Sequence, residues 1–340
     1  MPGSLRVETR QRLDGRRAAW DGLVADQPVP SPFLRSWWLE GVAPTDTTFV
    51  LVLDGERLVG GLALQELRGT GVRRWTAPGA TVLCPDHLDA LAAPGHETAV
   101  VDALRGWLAR PGQRILDLRG VAEDALLPRA VGAGAEQADV APFQPLPAPP
   151  DTYLAGRSAN FRRSVRRAER RLASAGIGHH RVPLAELPAA FEAFASLQRG
   201  RDGRGPLLAE LPTLERALTA GVAAGEARVD VLASASGAVA VSFAFVVANR
   251  LSLYQVARSL DGAHDGAGNV LLVAVIEDAL TAGCHEVDLL RGAEGYKASF
   301  ADRSRVVGRL RVAHGAAARA QLAAEDAARR VSARLRSRGP

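Results

Sequence analysis

The chain has 340 residues and very little of several residue types. It holds one methionine, two cysteines, three tyrosines and, among 42 lysines and arginines, a single lysine, Lys297. Cys84 and Cys284 are too few for a disulfide framework, and no C-x-x-C pair or Cys/His cluster offers a metal site, so no metal is expected. The adjacent His179 and His180 read as loop residues rather than ligands. No run approaches 18 uncharged apolar residues, which argues against a membrane-spanning helix. The first twenty residues carry charges throughout and lack an apolar leader. The expected location is the cytoplasm, with the inner membrane face as a peripheral alternative. With 47% hydrophobic residues, a soluble globular protein is expected, and its length exceeds what one core usually serves, so two domains are expected.

The shortage of lysine is informative. A composition rich in Ala, Gly, Arg, Val and Leu is what a GC-rich genome produces, and such pressure turns solvated lysines into arginines. It cannot easily do so where a compact ammonium with rotatable donors is required, because a guanidinium is a planar fork. Lys297 is therefore a functional candidate. The net charge of +5 adds only a mild bias toward anionic partners.

Along the chain, SPFLRSWWLEGV (31–42) reads as a helix capped by Ser31 with Pro32 at its first position. TTFVLVLDGERLVGGLALQEL (47–67) reads as a hairpin around Asp54-Gly55. A helix over 97–110 and a strand over 114–121 follow. VAPFQPLPAPPDTYL (140–154) holds five prolines and is the linker candidate between domains 1–145 and 151–313, with an Ala/Arg-rich tail over 314–340. The second half opens on the helix SANFRRSVRRAERRLASAG (158–176). Helices around 184–199 and 210–224 come next, then three strands over 227–260 turning near Ser236-Gly237 and Asn249-Arg250. A glycine loop leads into a helix over 270–284, followed by a strand over 285–292 and, over 293–313, a loop, a short helix and a final strand. Both halves run helix, hairpin, helix, strand ending in Leu-Arg-Gly (118–120 and 290–292), which suggests an internal repeat and a mixed α/β fold rather than a doubly wound sheet.

Three constellations could carry chemistry. Arg157, Arg162, Arg163, Arg166, Arg167, Arg170 and Arg171 surround one apolar stripe of Phe161, Val165, Ala168 and Leu172. They form either a solvated face or a surface for phosphates, and like charges at i, i+4 favour a bound anion. In SLDGAHDGAGNVLL (259–272), Gly266 and Gly268 would let a ligand approach free N–H groups at a helix start. VDLLRGAEGYK (287–297) places Asp288, Tyr296 and Lys297 near a strand end, close in sequence pattern to Tyr254 and Gln255. Trp37 and Trp38 read as core.

In their order, PFLRSWWLEGV, LDGERLVGGLALQEL, CPDHLDALAAPG, RRSVRRAERRLASAG, the G-x-G-N-x-L-L helix start and VDLLRGAEGYK resemble the CelD/BcsL (BioF-like) acetyltransferase family of the GNAT superfamily, which is similar to the Fem-type aminoacyltransferases. The resemblance implies two tandem GNAT-like domains joined by the proline-rich linker, the second carrying the chemistry. It implies an N-acyltransferase making an amide from an acyl-CoA co-substrate and an amine, either a small molecule such as an amino sugar or a lipid-linked precursor. Fem-like use of aminoacyl-tRNA is the alternative donor, and a non-catalytic module binding RNA or anionic lipid is the alternative of another class. The expected donor contacts are Gly266, Gly268, Asn269, Arg162, Arg163 and Arg166. Lys297, Tyr296 and Asp288 are the expected catalytic set, and Tyr254, Gln255, Gly292, Glu294, Asp86 and His87 the expected substrate contacts. The pattern departs from ordinary GNAT enzymes at Ala263, where the phosphate loop usually has Gln or Arg.

Overall fold

The structure, a computed structural model, describes residues 5–67, 71–147 and 152–336. In the first half the elements are β1 (Arg6–Arg10), α1 (Arg17–Ala25), α2 (Ser36–Val42), β2 (Thr47–Asp54), β3 (Arg57–Leu67), β4 (Arg73–Thr76), β5 (Leu91–Ala92), α3 (Glu97–Leu108), β6 (Arg114–Ala122), α4 (Leu127–Val131) and β7 (Glu136–Pro145). The second half has α5 (Ala159–Ser174), β8 (Gly178–Arg181), α6 (Leu187–Gln198), α7 (Gly205–Ala209), α8 (Leu211–Ala223), β9 (Ala227–Ser234), β10 (Gly237–Val247), β11 (Arg250–Arg258), α9 (Ala267–Thr281), β12 (Glu286–Asp288), β13 (Arg303–His314) and α10 (Ala316–Arg336). None of the described helices is long and apolar enough to cross a membrane.

Local chemistry accounts for much of this. The β2–β3 hairpin closes Asp54 against Arg57 through Gly55, whose φ is 57°, as the Asp-Gly signal predicts. The β10–β11 turn puts both Ala248 and Asn249 at positive φ (47° and 56°), the pair of left-handed residues that a tight hairpin needs. Ser158 caps α5 by accepting from the Phe161 N–H (3.3 Å), and Phe161, Val165, Ala168 and Leu172 are its buried face. At 31–42 the reading needs correction. Residues 32–34 form a 3-10 turn, the helix begins at Ser36, and the Ser31 hydroxyl donates to the Asp86 carbonyl (2.6 Å) instead of capping.

All strands belong to one mixed sheet, ordered β1-β2-β3-β4-β6-β13-β7-β12-β11-β10-β9-β8, with β5 paired to β3. The two halves complete each other: β13 inserts between β6 and β7, and β7 lies between β13 and β12. The proline-rich segment is thus strand up to Pro145, while its residues 148–151 lie outside the described residues. Pro142 is tolerated because its missing N–H falls where the neighbouring chain turns off. Its carbonyl accepts from Leu289, just past the end of β12. Across the junction, Phe33, Trp37 and Trp38 of the first half pack with Phe245 and Tyr254 of the second, at ring separations of 5.5–5.8 Å. The two tryptophans are core, as expected.

Candidate functional site

β11 and β12 run parallel but pair only from Arg250–Ser252 to Glu286–Asp288. Beyond that point β11 continues to Arg258, while the other chain bends away through Leu290 (φ 57°) and Gly292 (φ 117°). The result is a cleft with one strand edge, from Leu253 onward, that no strand among the described residues covers.

A loop of the first half closes the root of this cleft. The Tyr254 hydroxyl donates to the Leu83 carbonyl (2.7 Å), and the Arg291 N–H donates to Asp86 Oδ2 (2.7 Å) with its Nε 3.1 Å from Oδ1. His87 Nε2 lies 3.0 Å from Asp288 Oδ2, and Asp288 Oδ1 accepts from the Leu290 N–H (2.7 Å). Cys84 and His87 both adopt left-handed φ (49° and 53°), and Gly120 must be glycine, because a Cβ there would overlap the Pro85 carbonyl oxygen. Asp86 and His87, expected to contact substrate, are closed off from solvent beside Arg291 and Asp288. Tyr254 is likewise tied into the junction, and Gln255 is half-buried beside it.

Electrostatics follow from this burial. Desolvation pulls the His87 imidazole down, but the Asp288 and Asp86 carboxylates outweigh it, and its pKa ends above the ordinary histidine value. Burial pushes Asp288 up, yet His87, the Leu290 N–H and Arg305 bring its carboxyl below the ordinary range. Asp86 goes the other way: burial holds it above its usual value against Arg291 and His87. Asp288 is 0% exposed with its oxygens engaged, so it has no open face for a substrate proton.

Lys297 sits in a 3-10 turn (Gly295–Ser299) and is 4% exposed. Its Nζ donates to the carbonyls of Leu290 (3.0 Å) and Arg291 (2.8 Å) and lies 2.9 Å from Glu294 Oε2. An ammonium has three N–H donors, and all three are taken. They converge from different directions on two main-chain oxygens and one carboxylate, which a flat guanidinium cannot reproduce. Tyr296, next to it, is 44% exposed, and burial of its hydroxyl together with Glu294 raises its pKa to about 12. Gly292 packs against the Glu294 side chain.

At the far end of β11 lies the glycine turn. Gly266 (φ 82°) precedes α9, and the N–H groups of Ala267, Gly268 and Asn269 have no acceptor among the described residues. Ala168 of α5 packs on Gly266, Arg171 donates to the Asp265 carbonyl, and the Arg258 side chain lies beside Gly268. Two guanidinium groups thus lie at this turn: Arg171 belongs to the arginine set of 157–171, whereas no spacing rule pointed to Arg258. Of the three arginines expected here, Arg162 is spent on the carbonyls of Ala155 (3.0 Å) and Arg157 (2.6 Å). Arg163 and Arg166 are exposed nearer the start of α5, away from the turn. His179, which proves to lie in β8, meets Asp230 and Asp278, but Arg228 already bridges those two carboxylates and supplies the cation.

Residues 159–298 match the family model described as the acetyltransferase (GNAT) domain. No curated protein matches the chain by sequence. Among solved structures, FemX superposes with a TM-score of 0.65 at 11% identity, covering 90% of this chain and 97% of its own. A tandem GNAT protein from the clavulanic acid biosynthesis pathway gives 0.52 at 15%, with 92% and 99% covered. The C-terminal domain of a provisionally assigned lysylphosphatidylglycerol synthetase from Agrobacterium fabrum gives 0.55 at 14%, with 93% and 96% covered. The fold is thus that of tandem GNAT proteins. The GNAT acetyltransferase domain matched over residues 159–298 makes the chain an acyltransferase.

Proposed function

We propose that the chain is an N-acyltransferase that takes its acyl group from a phosphate-bearing carrier, acyl-CoA in the leading reading, and passes it to an amine. The finer assignment to the CelD/BcsL group belongs to the same proposal. The observation that carries it is the unpartnered first turn of α9, set between Arg258 and Arg171 at the end of an uncovered strand edge. Amide N–H groups and two guanidinium groups suit a pyrophosphate, and the open edge of β11 suits the extended, amide-containing arm of such a carrier.

In this reading the amine nitrogen attacks the acyl carbonyl carbon, a C–N bond forms and the C–S bond breaks. Tyr296, protonated well above neutrality, gives its proton to the departing thiolate. Glu294, whose side chain is 58% exposed, is the carboxylate at the mouth able to receive the proton of the amine. Lys297 acts by holding the Leu290–Glu294 segment that carries these groups. It is a positioning residue here, not the oxyanion partner that its rarity first suggests.

A second reading is favoured by α5. Arg163, Arg166, Arg167 and Arg170 all face solvent on one helix, which suits an RNA backbone and a Fem-like aminoacyl-tRNA donor. The acceptor, whether a small amine or a lipid-linked one, enters from the open side in both. Calorimetry with CoA, acetyl-CoA and bulk tRNA separates them. Heat with CoA that is insensitive to ribonuclease is expected. Salt-dependent heat with tRNA alone selects the second reading, and silence with all three leaves only a non-catalytic module.

A further inference from the structure

Arg201 and Arg204 lie on one turn after α6, joined by an Arg204 N–H to Arg201 carbonyl contact of 3.4 Å. Arg201 donates to the carbonyl of Arg258, so this turn abuts the open edge of β11. Arg258 itself donates to the Ser259 carbonyl (3.2 Å). None of the three guanidinium groups pairs with a carboxylate among the described residues, although ion pairs are common elsewhere in the chain. The Arg201 Nε is buried without any hydrogen-bond partner. Burial, then Arg258 and Arg204, depress the Arg201 guanidinium, as expected for three like charges gathered with no counter-ion. Arg204 is exposed on the same turn, three residues on from Arg201. Phosphates bound at the first turn of α9 would neutralise Arg258 but leave the 201–204 turn unmatched.

We propose that Arg201 and Arg204 form an oxyanion-binding site for the acceptor, so that the amine substrate carries a phosphate or carboxylate group. This deepens the acyltransferase reading and rests on it. The anion fixes the acceptor by one end, and the amine is then presented to the acyl carbon from the side opposite the carrier. Neutral amines of the same shape are poor substrates for this arrangement, because binding leaves two guanidinium groups facing each other without compensation.

The test uses the full chain and calorimetry, with inorganic phosphate and acetate titrated separately, first alone and then with CoA present at saturation. The expected result is binding of at least one oxyanion that persists with CoA bound and weakens on the order of tenfold in Arg204→Gln, while CoA affinity in that variant stays within about threefold. Arg204 is exposed, so this variant keeps the fold; Arg201→Gln is the second variant, with the same expected loss. No oxyanion binding in the parent chain, binding unchanged in Arg204→Gln, or binding abolished by CoA each overturns the inference, the last by assigning the arginines to the donor. Oxyanion binding that depends on Arg204 in a chain that binds no CoA keeps the anion site and removes the donor reading instead.

Discussion

Replacing Lys297 by arginine or methionine is the sharpest perturbation of the site. The ammonium serves two main-chain oxygens in a pocket that leaves the residue 4% exposed. A hydrogen bond to a charged group contributes about 1.5–3 kcal/mol, so the two carbonyls account for roughly 3–6 kcal/mol before relaxation. The contact to Glu294 counts for less, on the order of 0–1 kcal/mol, because that carboxylate is largely solvated. Lys297→Met keeps the apolar stem, and water can reach part of the segment, so a net loss of about 2–4 kcal/mol is expected. Lys297→Arg keeps the charge but forces a larger, flat group into a filled space, at a cost of about 1–3 kcal/mol. Both changes shift the 290–296 segment and with it Tyr296. A misplacement of about 1 Å at a reacting group costs roughly 100-fold in rate. Thermal melting and turnover on the donor identified by calorimetry are the assays. A Lys297→Arg chain with parental melting temperature and parental turnover would falsify the positioning role.

Three further outcomes are expected. The His87–Asp288 pair predicts a bounded pH range of stability. His87, titrating above its ordinary value, stabilises fully below its unfolded pKa and loses this as pH rises through its folded one. Asp288, titrating below its ordinary value, stabilises above its unfolded pKa and loses this as pH falls through its folded one. Melting temperature against pH should therefore fall on the alkaline side of the histidine range, and His87→Gln should flatten that limb; an unchanged alkaline limb contradicts the pairing. Gly120→Ala should destabilise by about 2 kcal/mol or more in chemical denaturation, from the left-handed φ of 87° and the overlap with Pro85; a neutral result would show that the loop 83–88 does not pack there. Gly268→Ala should leave stability unchanged or slightly raised, since its Cβ meets only the flexible Arg258 chain (3.2 Å), while CoA affinity falls as Arg258 is pushed aside; equal affinity would remove Arg258 from the donor site.

The legible part of the molecule is the part set by local chemistry. The Asp54-Gly55 turn, a turn within one residue of Asn249-Arg250, the apolar stripe of α5 and a final strand within 293–313 follow from spacing and turn residues. Where β13 goes was not legible, because a strand inserted between β6 and β7 satisfies the same alternation as one added at its own domain's edge. The same limit applies to the site. The rarity of lysine singled out a position whose three donors are all in use, but it could not say whether a substrate or the protein's own carbonyls used them. Asp86 and His87 were singled out as substrate contacts, yet their burial depends on long-range contacts with Arg291 and Asp288 that no local pattern shows. Arg171 was legible as part of the arginine run of 157–171, but Arg201, Arg204 and Arg258 were hidden among many arginines, and only their convergence on one strand edge distinguishes them.

The central claim concerns where the acyl carrier lies, and a crystal structure of the intact chain with CoA tests it most directly. Phosphate oxygens are expected about 3 Å from the Gly268 and Asn269 N–H groups, with the guanidinium of Arg258 against them and the sulfur directed along β11 toward Tyr296. Density for CoA elsewhere on the chain, with the first turn of α9 still bare, would contradict it.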